Sequence, residues 1–297
     1  MRRKLSLFAF ILFWGYGQVW GCDVCGCAAS GGMMGMMSNY KSNFVSFGWR
    51  YSRFYASENL DGGLDYFQQA DVRVGLRLNK RLQIQAILPY NLNTHIADEG
   101  KSHYKGPGDS WAMVEFTAFQ SKDSTKFPLR HFLSLGTGIK TPTGKFDLEN
   151  QENPMPANFQ MGSGSWDYLL HVFYNVRFHE WGLSMDISGR INTLNAQQYR
   201  FGDQLAGTIY LSWLLQSSRA SIMPFAGVYH EQLGRNVHKN VYQSGTGGTG
   251  TYATLGVEAQ MKRWGIRTTY TPHLSSTYAE GEISGGNRLS ASLSFLF

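Results

Sequence analysis

After Tyr16 the chain has no apolar run of the ~20 residues that a helix needs to cross a bilayer. Charge is scarce as well: Asp, Glu, Lys and Arg make up 16% of the residues. The formal charge of +6 falls to +3 once Arg2, Arg3 and Lys4 are set aside. That balance is too small to argue for a nucleic-acid partner, and no basic stripe or RNA-binding signature accompanies it. Proline is sparse at 8 residues, whereas glycine reaches 34 and aromatics 14%. Little charge, many aromatics and no apolar run describe a strand-rich chain whose faces alternate between apolar and polar.

The first residues read as an address. Arg2, Arg3 and Lys4 form a basic n-region, Leu5 to Tyr16 an apolar h-region, and Val19 and Gly21 are small enough for positions −3 and −1 of a cleavage site. Residues 1–21 are therefore expected to be a secretory signal peptide, 22–42 a periplasmic leader and 43–297 the folded body. Cleavage would make Cys22 the first mature residue. Gly21-Cys22 also fits part of a lipoprotein signal, although Trp20 is bulky for position −2.

Period-two alternation dominates the body. In "FVSFGWRYSRFY", Val45, Phe47, Trp49 and Tyr51 share one face, and Ser46, Gly48, Arg50 and Ser52 share the other. Val72, Val74 and Leu76 oppose Asp71, Arg73 and Arg77. Leu82, Ile84, Ala86 and Leu88 oppose Gln83 and Gln85. Later, Tyr168, Leu170, Val172, Tyr174 and Val176 oppose Asp167, His171, Asn175 and Arg177. About twelve such segments can be counted.

Their connections alternate in length. Short turns fall at Asn79-Lys80, His179-Glu180, Gln216-Ser218 and Lys262-Arg263. Long polar loops fall at 57–65, 91–110, 141–165, 192–203, 231–250 and 271–287. This layout predicts an all-β fold, a transmembrane antiparallel β-barrel of about 12 strands in the outer membrane. An even count places both termini on the short-turn, periplasmic side. Closure is what admits such a chain to lipid, because a closed sheet leaves no unpaired edge. Trp49, Tyr90, Trp111, Trp166, Trp181, Trp213, Trp264 and Tyr270 lie near expected strand ends, as interfacial girdles require. The last strand ends at Phe297 behind Phe295, Leu293, Ala291 and Leu289, and resembles the insertion signal read by the barrel-assembly machinery. Outer-membrane lipid and that machinery are the expected partners, beside a small-molecule solute.

Three segments carry a resemblance to a known family. "GPGDSWAMVEF" (106–116), "SLGTGIKTPTGK" (134–145) and "QMGSGSWDYLLHVFYNV" (160–176) follow one another in the order of the outer-membrane channel family named for the MetA pathway of phenol degradation. There a Gly-Asp enters a strand, a later strand ends in Pro-Thr-Gly, and Gly-Ser/Thr-Gly enters the next. The resemblance spans about residues 45–297, and the "CDVCGC" leader resembles a subgroup of exported barrels. It implies passage of small solutes, aromatic or apolar ones among them, across the outer membrane. Physically these motifs read as turns: Pro142 fixes φ where a strand leaves the sheet, and Gly144, Gly162 and Gly164 permit turn geometry.

If the apolar faces meet lipid, the opposite faces line a lumen. Its expected residues are Arg50, Arg73, Arg77, Glu115, Lys140, Asp167, His171, Arg177, Asp186, Arg190 and Glu258, with Asp71 and Arg267 beside them. Arginine exceeds acid in this set, which points to a polar pathway mildly favouring anions. The other reading is a salt-bridged fill of a narrow barrel, hence a non-conducting anchor or a metal-binding component of an envelope complex. An enzyme is not expected. His171 lies near Asp167, but no serine motif joins them. His95, His103, His238 and His273 lack metal-ligand spacing.

All three cysteines fall in "GCDVCGCAASGGMMGMM" (21–37), as Cys22, Cys25 and Cys27, ahead of Met33, Met34, Met36 and Met37. Thiolate and thioether are soft ligands that suit Cu(I), so copper is the candidate cofactor. A disulfide with one lipidated or free cysteine and an incidental flexible leader remain open beside it. Three thiols are one short of a closed zinc site.

Overall fold

The computed structural model describes residues 42–58, 62–97, 100–121, 128–149 and 155–297. The expected signal peptide and the cysteine and methionine ligands Cys22, Cys25, Cys27, Met33, Met34, Met36 and Met37 lie outside them.

Twelve antiparallel strands form one closed barrel. They are β1 (Phe44–Ala56), β2 (Leu64–Arg77), β3 (Leu82–Ala97), β4 (Trp111–Gln120), β5 (Leu129–Lys140), β6 (Asp167–Phe178), β7 (Trp181–Ile191), β8 (Gln204–Trp213), β9 (Ala220–Leu233), β10 (Gly248–Met261), β11 (Trp264–Thr271) and β12 (Ile283–Leu296). Each pairs with its neighbours in sequence. Phe44 opposite Leu296 begins the register that joins β12 to β1. This last ladder removes the two edges an open sheet would leave. Because the strand number is even, both ends of the barrel chain lie at the rim that carries the short turns.

Two of those turns consist of two residues, and each places a non-glycine residue at positive φ: His179 at 54° and Lys262 at 53°. Several strands run further than the polar composition around them suggested. β3 continues to Ala97 and folds back as a hairpin, where Gly100–Pro107 pairs with Tyr90–Ala97. Residues 91–110, expected to be loop, are therefore mostly sheet standing beyond the barrel wall. Polar residues serve there because that stretch is not required to present an apolar face to lipid.

Alternation along the strands separates inside from outside. Phe47 is 62% exposed, while Ser46 and Arg50 beside it are 3% and 8% exposed. Phe47, Leu88, Leu135, Leu170, Leu183, Ile209, Leu255 and Leu293 face outward and leave an apolar belt on the wall. Trp181 and Trp213 face each other across β7 and β8 at the short-turn rim, their rings stacked 5.9 Å apart. Trp264 packs on Phe295 at the same rim. Trp111 departs from the girdle expectation. It shares the inward parity of Met113 and Glu115 and packs against Met113 and Leu169 inside the barrel.

The long loops fold inward over their end of the barrel. Phe159, on a short 3-10 turn (Ala157–Phe159), stacks on Phe67 with ring centroids 5.0 Å apart and meets Tyr104 at a tilt, 5.3 Å away. Phe54, Leu233, Tyr278, Ala279 and Ile283 complete that apolar cluster. A second cluster joins Ala157, Tyr199 and Phe201 to Phe146 and Leu148.

Candidate functional site

The interior is polar and ion-paired. In the wall of β1 and β2, Arg50 lies 3.2 Å from Asp71 and also donates to Gln69, whose amide reaches Asn91 at 2.8 Å. Gly48 permits the first pair, because a Cβ at that position would stand 2.8 Å from the Asp71 carboxylate oxygens. Across the lumen, His171 of β6 is held between two acids, with Nδ1 2.7 Å from Glu115 and Nε2 3.2 Å from Asp186. The Ser134 hydroxyl donates to the second Glu115 oxygen at 2.5 Å. Arg267 reaches Glu258 at 3.2 Å and lies over the Phe225 ring.

Near the long-loop end, Arg288 and Glu231 form a bidentate pair at 2.6 and 3.1 Å. The Tyr229 hydroxyl donates to the same carboxylate at 2.5 Å, the Tyr278 hydroxyl also donates to it, and Arg288 lies 4.0 Å above the Tyr252 ring. Tyr278 belongs to the loop that follows β11. Burial first, and the Glu231 charge second, raise its phenol well above the ordinary tyrosine value, so it remains a neutral donor. An isolated charge inside a protein costs several kcal/mol, and pairing with hydrogen-bonded counter-charges is what makes these groups tolerable there.

The three motifs that carry the family resemblance meet at one carboxylate. Asp109, from "GPGD", accepts hydrogen bonds from the Gly144 amide at 2.9 Å, the Ser163 amide at 2.7 Å, the Ser163 hydroxyl at 2.9 Å and Lys140 Nζ at 2.8 Å. Lys140 also lies 2.5 Å from Asp167, which takes the Ser165 hydroxyl and the Thr193 amide on its other oxygen. Gly144 and Gly162 touch backbone to backbone, so a Cβ on Gly144 would sit 2.7 Å from the Gly162 Cα. These glycines serve close approach and fasten residues 141–149 and 155–166 against the inside of the wall.

Beneath that loop lies a cavity of about 110 Å³. Arg50, Lys140, Asp109 and Arg190 border it, with the amides of Gln68, Gln69, Asn91, Asn93, Gln160 and Asn192, and the rings of Phe67, Trp111 and Phe201. Its lining thus mixes donors and acceptors with apolar faces. Among the described residues, no group of three or more His, Cys, Asp and Glu side chains is arranged to hold a metal.

The predicted site residues fall into two sets. Arg50, Arg73, Glu115, Lys140, Asp167, His171, Asp186 and Glu258 are buried inside the barrel, and Arg190 is half-buried at the cavity. Arg77 and Arg177 sit at the short-turn rim instead, where their guanidinium groups donate to the turn carbonyls of Asn79, Lys80 and His179. Three residues went unread in the sequence. Asp109 and Glu231 stood in stretches expected to be loop. Arg288 has the inward parity of Ser290 and Ser292, and that parity was the available signal. With Asp109 and Glu231 added to Asp71, Glu115, Asp167, Asp186 and Glu258, the interior acids offset the cations, and the arginine excess read from the strand faces disappears.

No protein-family model matches the chain, and no curated protein sequence matches it significantly. Solved structures do. The COG4313 outer membrane channel from Pseudomonas putida F1 superposes with a TM-score of 0.64 at 13% identity, covering 86% of this chain and 95% of that one. The β domain of the Bordetella autotransporter BrkA gives a TM-score of 0.55 at 9% identity, covering 86% and 100%. The transport unit of the autotransporter AIDA-I from Escherichia coli gives 0.50 at 10% identity, covering 91% and 94%. The channel likeness agrees with the family resemblance at the level of the fold, and the cysteine leader is outside that agreement. The chain is a twelve-stranded antiparallel barrel of the outer-membrane type.

Proposed function

We propose that the protein is an outer-membrane channel for small polar solutes, with its short turns and both termini in the periplasm. The observation that supports this reading is the polar cavity inside the barrel, bordered by amides, by Arg190 and by Arg50, Lys140 and Asp109, which already have counter-charges. A lining of that kind favours a neutral hydrogen-bonding solute over a strongly charged one. Loop 141–166 narrows the passage and acts as its selectivity element. The test is conductance of the purified chain in planar bilayers, combined with liposome swelling in neutral sugars of increasing size. Discrete conductance steps and a size cut-off are expected. An electrically silent barrel that excludes even the smallest sugar would refute the channel.

A second reading rests on a specific observation. The apolar clusters around Phe159 and Phe201, together with the paired charges, are what a filled, non-conducting anchor would also have. Phe159→Ala separates the two: a channel gains conductance from it, and an anchor stays silent. For the leader, we propose that Cys22, Cys25 and Cys27, aided by the methionines that follow, bind Cu(I) in the periplasm. Metal stoichiometry of the mature protein, with Cys25→Ser and Cys27→Ser as controls, tests this, and a mapped disulfide without metal would defeat it.

A further inference from the structure

The two rims of the barrel differ in charge. At the short-turn rim, a cation stands in or within two residues of each of the five connections, Arg130 and Arg177 on the flanking strand ends. Arg77, Lys80 and Arg81 mark the first, Arg130 the second, Arg177 the third, Arg219 the fourth, and Lys262 and Arg263 the fifth. Among the described residues of these turns, Glu180 is the single acid. Most of the cations are exposed. The long-loop end is mixed instead, with Lys101, Lys105, Arg235 and Lys239 offset by Asp147, Glu149, Asp203 and Glu280.

We infer that this collar binds the phosphate headgroups of anionic glycerophospholipids in the leaflet that the short turns reach. The inference rests on the membrane-barrel reading above. Its geometry is circumferential: the cations surround the barrel, as annular lipid does, whereas a single protein partner needs a patch on one side. Its depth is that of the interface. Trp181, Trp213 and Trp264 are half-exposed at the same strand ends, and such rings settle at the headgroup level. Lys and Arg stems beside them cross the apolar boundary and leave the charge among phosphates. Arg77 and Arg177 stiffen the collar by bonding the turn backbones.

The test uses the full chain in vesicles of equal parts phosphatidylcholine and phosphatidylglycerol, extracted in mild detergent, with the co-purifying lipid measured by mass spectrometry. Phosphatidylglycerol should be retained over phosphatidylcholine by about fivefold for each cation engaged at low salt, and less as salt rises. The variant K80Q/R81Q/R219Q/K262Q/R263Q, which keeps Arg77, Arg130 and Arg177, should lose most of the preference. The long-loop variant K101Q/K105Q/R235Q/K239Q should keep the preference. Heat-modifiable gel mobility checks that each variant is folded. Parity in the wild type, or equal loss in both variants, overturns the inference. So does binding to purified peptidoglycan sacculi through the same five cations without a lipid preference. A folded chain that fails to enter vesicles at all would instead refute the membrane-barrel reading.

Discussion

Replacing Asp109 by alanine should release loop 141–166 without opening the barrel. The carboxylate takes four hydrogen bonds, from the Gly144 and Ser163 amides, the Ser163 hydroxyl and Lys140. Hydrogen bonds to a charged group contribute about 1.5–3 kcal/mol each and do not add simply, and removing one member of a buried charge network costs about 3–5 kcal/mol. Lys140 retains Asp167 at 2.5 Å, so the cost belongs near the lower limit. Roughly 3 kcal/mol, at about 1.4 kcal/mol per decade, raises the population of the released loop about a hundredfold. The barrel ladders of β4, β5 and β6 do not pass through this side chain and should hold. Hydrogen exchange with peptide-level mass spectrometry reads both effects. Amides around Gly144 and Ser163 should exchange about two decades faster, while those around Gly136 and Val172 stay unchanged. Unchanged exchange at Gly144 and Ser163, or uniform acceleration through β5 and β6, would show that Asp109 does not act as the loop's fastening. Asp109→Asn should fall between, since its amide nitrogen offers a donor to groups that need an acceptor.

Glu231→Ala leaves Arg288 buried without its bidentate partner, and should lower barrel stability by about 3–5 kcal/mol, measured by urea unfolding in detergent micelles. Glu231→Gln should cost less, because Tyr229, Tyr278 and Arg288 keep an acceptor. Leu135→Arg places a charge on the lipid face halfway along β5 and should cost about 2–4 kcal/mol, whereas the same change at exposed Gln216 in a short turn should cost little; equal effects would contradict the assignment of the apolar wall to lipid. Gly144→Val should disrupt the loop as Asp109→Ala does, because its side chain would collide with Gly162, and faster hydrogen exchange at Gly144 and Ser163 should report it.

The barrel was legible because its constraint acts locally. A wall between lipid and a wet interior writes an alternation of period two into each strand, and Phe47 beside Ser46 and Arg50 can be read from neighbours alone. The parity of β1, β2, β6 and β7, the turns at His179-Glu180 and Lys262-Arg263, and the even strand count all follow from it. That signal fades where strands rise beyond the lipid. The extension of β3 to Ala97 and the outer part of β9 at Glu231 were therefore expected as loop. The loop side chains were less legible still. Asp109 stands in a turn motif with nothing local to separate a carboxylate facing solvent from one that gathers four donors.

Sequence by itself determined the closed wall, the number of strands, the rim at which the short turns lie and the inward placement of Arg50, Glu115, His171 and Asp186, because each depends on neighbours a few residues apart. Tertiary structure decided how those inward groups pair, that Trp111 packs inside, that Asp109 draws 144 and 163 onto one carboxylate, and that Phe159 packs over Phe67 at the long-loop end. These contacts join residues tens of positions apart, whose meeting is set by the closure of the cylinder and the fall of its loops.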